Sequence, residues 1–388
     1  MTLMKKRNVT SLNLVDRIGH QTDYKQLVHE DSIIFTKEEE IRADLLINFS
    51  KPKKENSVLS LCCGMGLVAI KLSKFLDNTP QIADINLSTI NDIKADMLRH
   101  GIGGRIKINL INQVDKKFDL VFLQQPSYGG IELMTELLIK AFTHLNDEGQ
   151  IYLISTKREG ANLHQKSMES IFGKSEKFKY GKYYLFTAKK EDFTEVPIIK
   201  EYKIDVNLLD TKLVFYSRVG LFSKSRIDAG TNLLINTMKI SENDTVLDLG
   251  CGYGPIGIVA AKLARKGNVF MVDSNSRAIE LAKKNISENK IENAKVIESD
   301  GFSAIRGMSF DVVISNPPTH ISQDKLKLLF YDALNALRKK GRMYLVVHRS
   351  LYREYKKMLN ETNIPNNVEK TAESTEYVVL LVTVLNES

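Results

Sequence analysis

The chain has 388 residues, 43% of them hydrophobic and 26% charged, with a formal charge of +8. That length is more than one hydrophobic core usually fills, so two domains are expected. No apolar run approaches the roughly 18 residues that cross a bilayer, and none follows the basic start, which argues against a membrane span or a secretory leader and for a cytoplasmic protein.

In both halves, short runs rich in Val, Ile and Leu alternate with helix-length amphipathic stretches, the signature of βαβ units on a mostly parallel, doubly wound sheet. The first half, 1–194, carries Val58-Leu59-Ser60-Leu61-Cys62-Cys63-Gly64-Met65-Gly66, then Phe118-Asp119-Leu120-Val121-Phe122-Leu123-Gln124-Gln125-Pro126, then Gly149-Gln150-Ile151-Tyr152-Leu153. All three return in the same order as Val246-Leu247-Asp248-Leu249-Gly250-Cys251-Gly252-Tyr253-Gly254, Phe310-Asp311-Val312-Val313-Ile314-Ser315-Asn316-Pro317-Pro318 and Gly341-Arg342-Met343-Tyr344-Leu345. Three segments in register imply duplication of one fold.

From Lys157 to Lys190, nine Lys or Arg stand against three Asp or Glu, interleaved with Phe172, Phe178, Tyr180, Tyr183 and Tyr184. Such a stretch either tracks phosphates and stacks bases or forms the core of a hairpin. Glu191 to Ser223 contains Pro197 and short alternating segments, which places the domain boundary near 195 and assigns the lead-in to the second domain, 195–388. Lys212 to Arg226, with Phe215, Tyr216, Arg218, Phe222, Lys224 and Arg226, is a second candidate for contact with RNA.

In the second half, strands are expected at Thr245 to Leu249, Val269 to Val272, Ala294 to Glu298, Phe310 to Ser315, Arg342 to Val347 and Tyr377 to Val384. Helices are expected at Gly257 to Ala264, at Ser276 to Asn289 with Ser276 as N-cap, and at Gln323 to Arg338. Cys62, Cys63 and Cys251 form no CxxC pair, so neither a metal site nor a disulfide framework is expected.

Asp248-Leu-Gly250-Cys-Gly252-Tyr-Gly254 closes a strand and opens a helix, where absent side chains let a ligand approach the backbone. Gly252, Gly254 and Gly257 also satisfy GxGxxG, so glycine spacing alone leaves a nicotinamide enzyme open. Asp248 points elsewhere: a carboxylate ahead of the glycines suits the sulfonium and amino group of S-adenosylmethionine and would repel a pyrophosphate. Asp273, about 20 residues on, is placed to accept from ribose hydroxyls, and Asp300 from the adenine amine. Their alternatives are a helix cap and an Asp-Gly turn.

The most specific element is Asn316-Pro317-Pro318-Thr319-His320 at a strand end. The lone pair of a planar amine is delocalised, which makes the nitrogen a poor nucleophile. Two acceptors aimed at its hydrogens, the Asn316 side-chain oxygen and the Pro317 carbonyl, draw the nitrogen toward tetrahedral geometry. Prolines stiffen the loop and bring no N–H.

Together with Gly220-Leu-Phe222-Ser223 and Asp228-Ala-Gly230-Thr-Asn-Leu-Leu234, these motifs resemble the small methyltransferase domain of the ribosomal RNA guanine-N2 methyltransferases of the RsmC and RlmG type, which also carry a degenerate N-terminal copy. The resemblance implies two tandem Rossmann-like class I methyltransferase domains, each a seven-stranded sheet with one antiparallel strand. It implies S-adenosylmethionine as cofactor and ribosomal RNA or a ribosomal subunit as partner, 16S favoured over 23S; a monomer is the separate expectation for the chain. Asp248, Gly250, Gly252, Gly254, Asp273 and Asp300 carry over as cofactor positions, and Asn316, Pro317 and Pro318 as catalytic ones. Thr319, His320, Phe222, Lys224 and Arg226 are the expected substrate contacts. One departure is Thr319, where the family usually has an aromatic residue to stack on the target base; His320 or Tyr253 could substitute.

In the first half these slots are spoiled. Ser60 replaces the Asp, Cys62 the first Gly, and Gln124-Gln125-Pro126-Ser127 the Asn-Pro-Pro-Thr, so no catalysis is expected there and RNA docking is its expected role. Rival readings are transfer to adenine N6 or to a protein glutamine amide, which need the same geometry, and a non-catalytic RNA-binding ribosome-assembly protein.

Overall fold

The computed structural model describes residues 36–62, 66–99, 101, 103–124, 130–191, 198–218, 221, 226–318 and 321–385. The first half holds seven strands, β1 (Val58–Leu61), β2 (Gln81–Asp84), β3 (Lys107–Leu110), β4 (Phe118–Gln124), β5 (Leu145–Thr156), β6 (Glu176–Tyr180) and β7 (Tyr183–Lys189). They form one sheet in the order β3-β2-β1-β4-β5-β7-β6, in which β7 alone runs antiparallel to its neighbours. The hairpin β8 (Tyr202–Leu208) and β9 (Thr211–Ser217) follows. The second half repeats the first with β10 (Thr245–Leu249), β11 (Asn268–Asp273), β12 (Ala294–Glu298), β13 (Phe310–Ser315), β14 (Leu337–His348), β15 (Asn366–Glu373) and β16 (Tyr377–Val384). Its order is β12-β11-β10-β13-β14-β16-β15, with β16 antiparallel.

Helices of the first half are α1 (Lys37–Ser50), α2 (Leu67–Leu72), α3 (Leu87–Arg99), α4 (Gly130–Thr143) and α5 (Ala161–Phe172). Those of the second are α6 (Ala229–Thr237), α7 (Pro255–Leu263), α8 (Ser276–Glu288), α9 (Gln323–Asn335) and α10 (Tyr352–Asn360). Central strands are covered on both faces, which is why they read as continuous apolar runs. Val246, Val312 and Ile314 enter one core, and Leu247, Leu249 and Val313 enter the core on the opposite face, as the two-residue period of a strand requires. The duplication reaches single hydrogen bonds: Ser57 N donates to Asp119 Oδ2 at 2.8 Å, and Thr245 N to Asp311 Oδ2 at 2.8 Å.

The expected strands of the second half match β10 to β13 and β16 closely, whereas β14 begins five residues before the expected Arg342 and β15 was not foreseen. Gln323 to Arg338 ends early as a helix, because β14 begins at Leu337. Ser276 is not the N-cap of α8. Asn275 is, its side chain accepting from Arg277 N at 3.0 Å, while Ser276 Oγ donates to Ile85 O of the first half at 3.1 Å.

That last bond belongs to the seam between the halves. Leu87 N donates to Ser274 O at 2.7 Å and Ser276 N to Ile85 O at 2.9 Å, flanking an antiparallel bridge between Asn86 and Asn275. Deeper in the seam, Glu136 of α4 pairs with Arg277 of α8 at 2.6 Å, both almost fully buried. The expected boundary near 195 falls outside the described residues. Hairpin β8–β9 packs on α8, where Tyr216 N donates to Asn285 Oδ1 at 2.7 Å and Asn285 Nδ2 donates to Tyr216 O and Tyr253 O.

Candidate active site

The loop between β10 and α7 turns on Gly250, Gly252 and Gly254, all in the left-handed region at φ 77°, 57° and 96°. A Cβ at Gly250 or Gly252 would meet nothing within 4 Å, so both face open space, whereas one at Gly257 would lie 2.6 Å from Met271 Cγ and 2.9 Å from Asp248 Oδ2. The first pair leaves room for a ligand. Gly257 lets α7 approach the sheet closely.

Five N–H groups of the loop are already engaged. Gly250 N and Cys251 N donate to Val272 O and Gly254 N to Cys251 O, while Gly252 N donates to Asp273 Oδ2 at 2.9 Å and Gly257 N to Asp248 Oδ2 at 2.7 Å. A pyrophosphate brought here would meet two carboxylates and spent donors, so this loop suits a cation and not a dinucleotide. Asp248 is wholly buried and its Oδ1 has no hydrogen-bond partner. Burial, offset in part by the Gly257 N–H and reinforced by the charge of Asp273, pushes its carboxyl up to about 7. Burial likewise raises Asp273, against the N–H groups of Asn275 and Gly252. The N–H groups of Gly252 and Asn275 take Oδ2 and Oδ1 of Asp273 and that of Ser274 also acts on the carboxylate, so of its roughly four lone-pair sites at least one is left for a hydroxyl. These features, an orphaned buried carboxylate oxygen beside an open glycine turn, fit S-adenosylmethionine.

Asp300 follows β12 and is tied to the Asp273 loop through Ser299 N, which donates to Asp273 O at 2.9 Å. Its Oδ2 accepts from Asn91 Nδ2 of the first half at 3.2 Å. Asn316 stands at the end of β13, the strand beside β10, with Ser315 Oγ donating to Leu249 O at 2.7 Å between them. The fold thus brings Asp248, the glycines, Asp273, Asp300 and Asn316 to the C-terminal ends of adjacent strands, the usual binding edge of an open α/β sheet. Pro317 is buried and Pro318 half-buried.

Sequence reasoning missed Thr231. It is 3% exposed on α6, and its hydroxyl accepts from Asn316 Nδ2 at 3.2 Å. Asn316 Oδ1 makes no hydrogen bond among the described residues. The motif Asp228-Ala-Gly-Thr marked the segment, but nothing in the order of residues shows that position 231 meets position 316.

Among the expected substrate contacts, Thr319, His320, Phe222 and Lys224 lie outside the described residues, and Arg226 is exposed. Tyr253 cannot stack on a base: it is 2% exposed and packs edge-on against Phe215, with ring centroids 6.0 Å apart. Phe172 is a core residue at the end of α5, Tyr183 is a core residue of β7, and Phe178 and Tyr180 pack on Phe49, so the hairpin reading holds for Phe178, Tyr180 and Tyr183. Arg218 is held by Glu201 and Glu280 at 2.8 and 2.9 Å and is not available to phosphates. In the first half, Ser60 Oγ is buried without a partner where Asp248 stands in the second, and Cys62 takes a positive φ of 48° in the first glycine's place. Asp84 is retained there and burial pushes it up to about 6. No group of residues that could hold a metal occurs among those described, and no described helix is long and apolar enough to cross a membrane.

The family model for the methyltransferase small domain matches residues 27–187 and again 212–381. An uncharacterized protein of Bacillus subtilis, YbxB, is 32% identical over 161 residues, 40% of this chain and 80% of its own length. Ribosomal RNA small subunit methyltransferase C of Haemophilus influenzae is 44% identical over 108 residues, 28% of this chain and 32% of that protein. Its namesake from Actinobacillus succinogenes is 33% identical over 187 residues, 47% and 54% of the two chains. The chain therefore spans about a third to a half of the length of these two methyltransferases. Among solved structures, the T. thermophilus 16S rRNA N2 G1207 methyltransferase superposes with a TM-score of 0.73 at 22% identity, covering 88% of this chain and 91% of that one, which shows the shared fold across both halves. With both of its halves matched, the chain belongs to the methyltransferase small domain family.

Proposed function

We propose that this chain transfers a methyl group from S-adenosylmethionine to guanine N2 of 16S ribosomal RNA, with 195–388 as the catalytic unit and 1–194 as a non-catalytic partner domain. The observation that carries the reading is the pairing, on adjacent strand ends, of an orphaned Asp248 oxygen beside an open glycine turn with an Asn316 amide whose oxygen is uncommitted. The relatives named ribosomal RNA small subunit methyltransferase C support the substrate.

S-adenosylmethionine, when bound, supplies an electrophilic methyl on a sulfonium. Asp248 would face its positive charge, Gly250 and Gly252 would leave it space, and Asp273 and Asp300 would accept from the ribose and from the adenine amine. Asn316 Oδ1 and the Pro317 carbonyl accept from the two hydrogens of the guanine amine, turning its lone pair toward the methyl. Thr231 holds the Asn316 amide so that oxygen, not nitrogen, faces the substrate. The acceleration comes from orientation and preorganised acceptors, and the proton leaves after transfer.

The test is transfer of labelled methyl to ribosomal RNA, 30S and 50S particles from cells lacking this protein, followed by nucleoside analysis. N2-methylguanosine in 16S RNA is the expected product. Label in adenine N6 or in a glutamine amide would replace the acceptor, and no transfer to any of them would remove the catalytic reading.

A further inference from the structure

Helix α3 of the first half lies along the cofactor side of the second. Near its start, the backbone of Ile85 and Leu87 is bonded to Ser276 and Ser274, in the segment that carries Asp273. One turn on, Ser88 and Asp92 accept from Lys325 Nζ of α9 at 3.2 and 2.6 Å. Between these attachments, Asn91 donates Nδ2 to Asp300 Oδ2 at 3.2 Å. The helix is pinned at two places around Asn91. No group reaches Asp300 Oδ1 among the described residues.

An aspartate left to itself samples several side-chain rotamers. One with an oxygen tied to a rigid donor has a fixed carboxylate plane and presents its other oxygen in a set direction. A neutral amide donor does this without cancelling the charge, so the remaining oxygen stays a strong acceptor.

We propose that Asn91 positions the Asp300 carboxylate for the adenine amine and so sets the selectivity of the second half for a 6-amino purine cofactor. This rests on the reading of Asp300 given above. The full chain and its Asn91→Ala, Asn91→Leu and Asp300→Ala variants are titrated calorimetrically with S-adenosylhomocysteine and with its analogue lacking the 6-amino group. The wild type should favour the amine-bearing ligand, and Asn91→Ala should shrink that preference about tenfold while leaving affinity for the other ligand near wild type. Asn91→Leu, which fills the same space without a donor, should behave alike and keeps the test open if the smaller side chain unsettles the seam. Equal loss of affinity for both ligands, or an unchanged preference, would make Asn91 a seam residue only and overturn the proposal. A wild type that does not distinguish the ligands, or an Asp300→Ala variant that still does, would instead sink the reading of Asp300.

Discussion

Asn316 Nδ2 donates to Thr231 Oγ1 at 3.2 Å, which leaves Oδ1 of the same amide turned away from Thr231. Thr231→Val should lower the rate of methyl transfer about tenfold with cofactor affinity unchanged, the worth of one buried hydrogen bond expressed in the transition state. Thr231→Ser should restore it. Asn316→Ala should abolish transfer and still bind the cofactor; an equal loss of cofactor binding would contradict the roles of both residues.

Asp248 should make cofactor binding depend on pH. Burial raises its carboxyl to about 7, and a cationic ligand binds the ionised form better. Affinity for S-adenosylmethionine should therefore climb about fivefold between about pH 6 and about pH 7, and Asp248→Asn should flatten the profile. The same shift acts on folding with the opposite sign. The folded chain holds a proton that the unfolded chain releases near pH 4, so this stabilisation of the ligand-free protein is present at low pH and lost as pH rises through about 7. Calorimetric titrations and urea unfolding across that window check both.

Asp273→Ala should weaken cofactor binding by about 1.5–3 kcal/mol, the range for hydrogen bonds to a charged acceptor. Its bonds from Gly252 N and Asn275 N make it a loop support as well, so the variant should also unfold earlier. Unaltered affinity would leave only the loop-supporting role.

Gly257→Ala places a methyl 2.6 Å from Met271 Cγ and should destabilise the second half by about 1–3 kcal/mol through overpacking. A paired Met271→Ala change should recover part of that loss. Thermal unfolding of the single and double variants decides it.

Glu136→Ala removes a buried carboxylate that pairs with Arg277 across the seam and should cost about 3–5 kcal/mol. Unfolding that splits into two transitions in this variant would show that the pair couples the halves.

The order and type of elements in the second half were legible because its strands are buried on both faces and its helices amphipathic, so period and length agree. Strand β15 was not, since it is a polar edge strand, Asn-Asn-Val-Glu-Lys-Thr-Ala-Glu, in which only Val368 is buried. That Asp248, Asp273, Asp300 and Asn316 gather at one edge of the sheet was legible because they follow successive strands in a fixed order. Thr231, Asn91 and the burial of Tyr253 were not: each depends on contacts between segments far apart in the chain. Ser276 looked like a cap because its residue type suits one, but its hydroxyl serves the other half and Asn275 caps in its place.

The bridge between Asn86 and Asn275 carries an ancestral implication. Asp84 to Leu87 and Asp273 to Ser276 occupy equivalent places in the two copies, and exchanging each residue for its counterpart turns the Leu87–Ser274 bond into the Ser276–Ile85 bond. A contact with that property is isologous: one copy of the fold holds both the donor and the acceptor needed to pair with itself. Because the bonds run through the backbone, they survive side-chain drift, so gene fusion needed no new interface and one member of the pair was free to lose the first glycine of its loop and its Asp while still bracing the other.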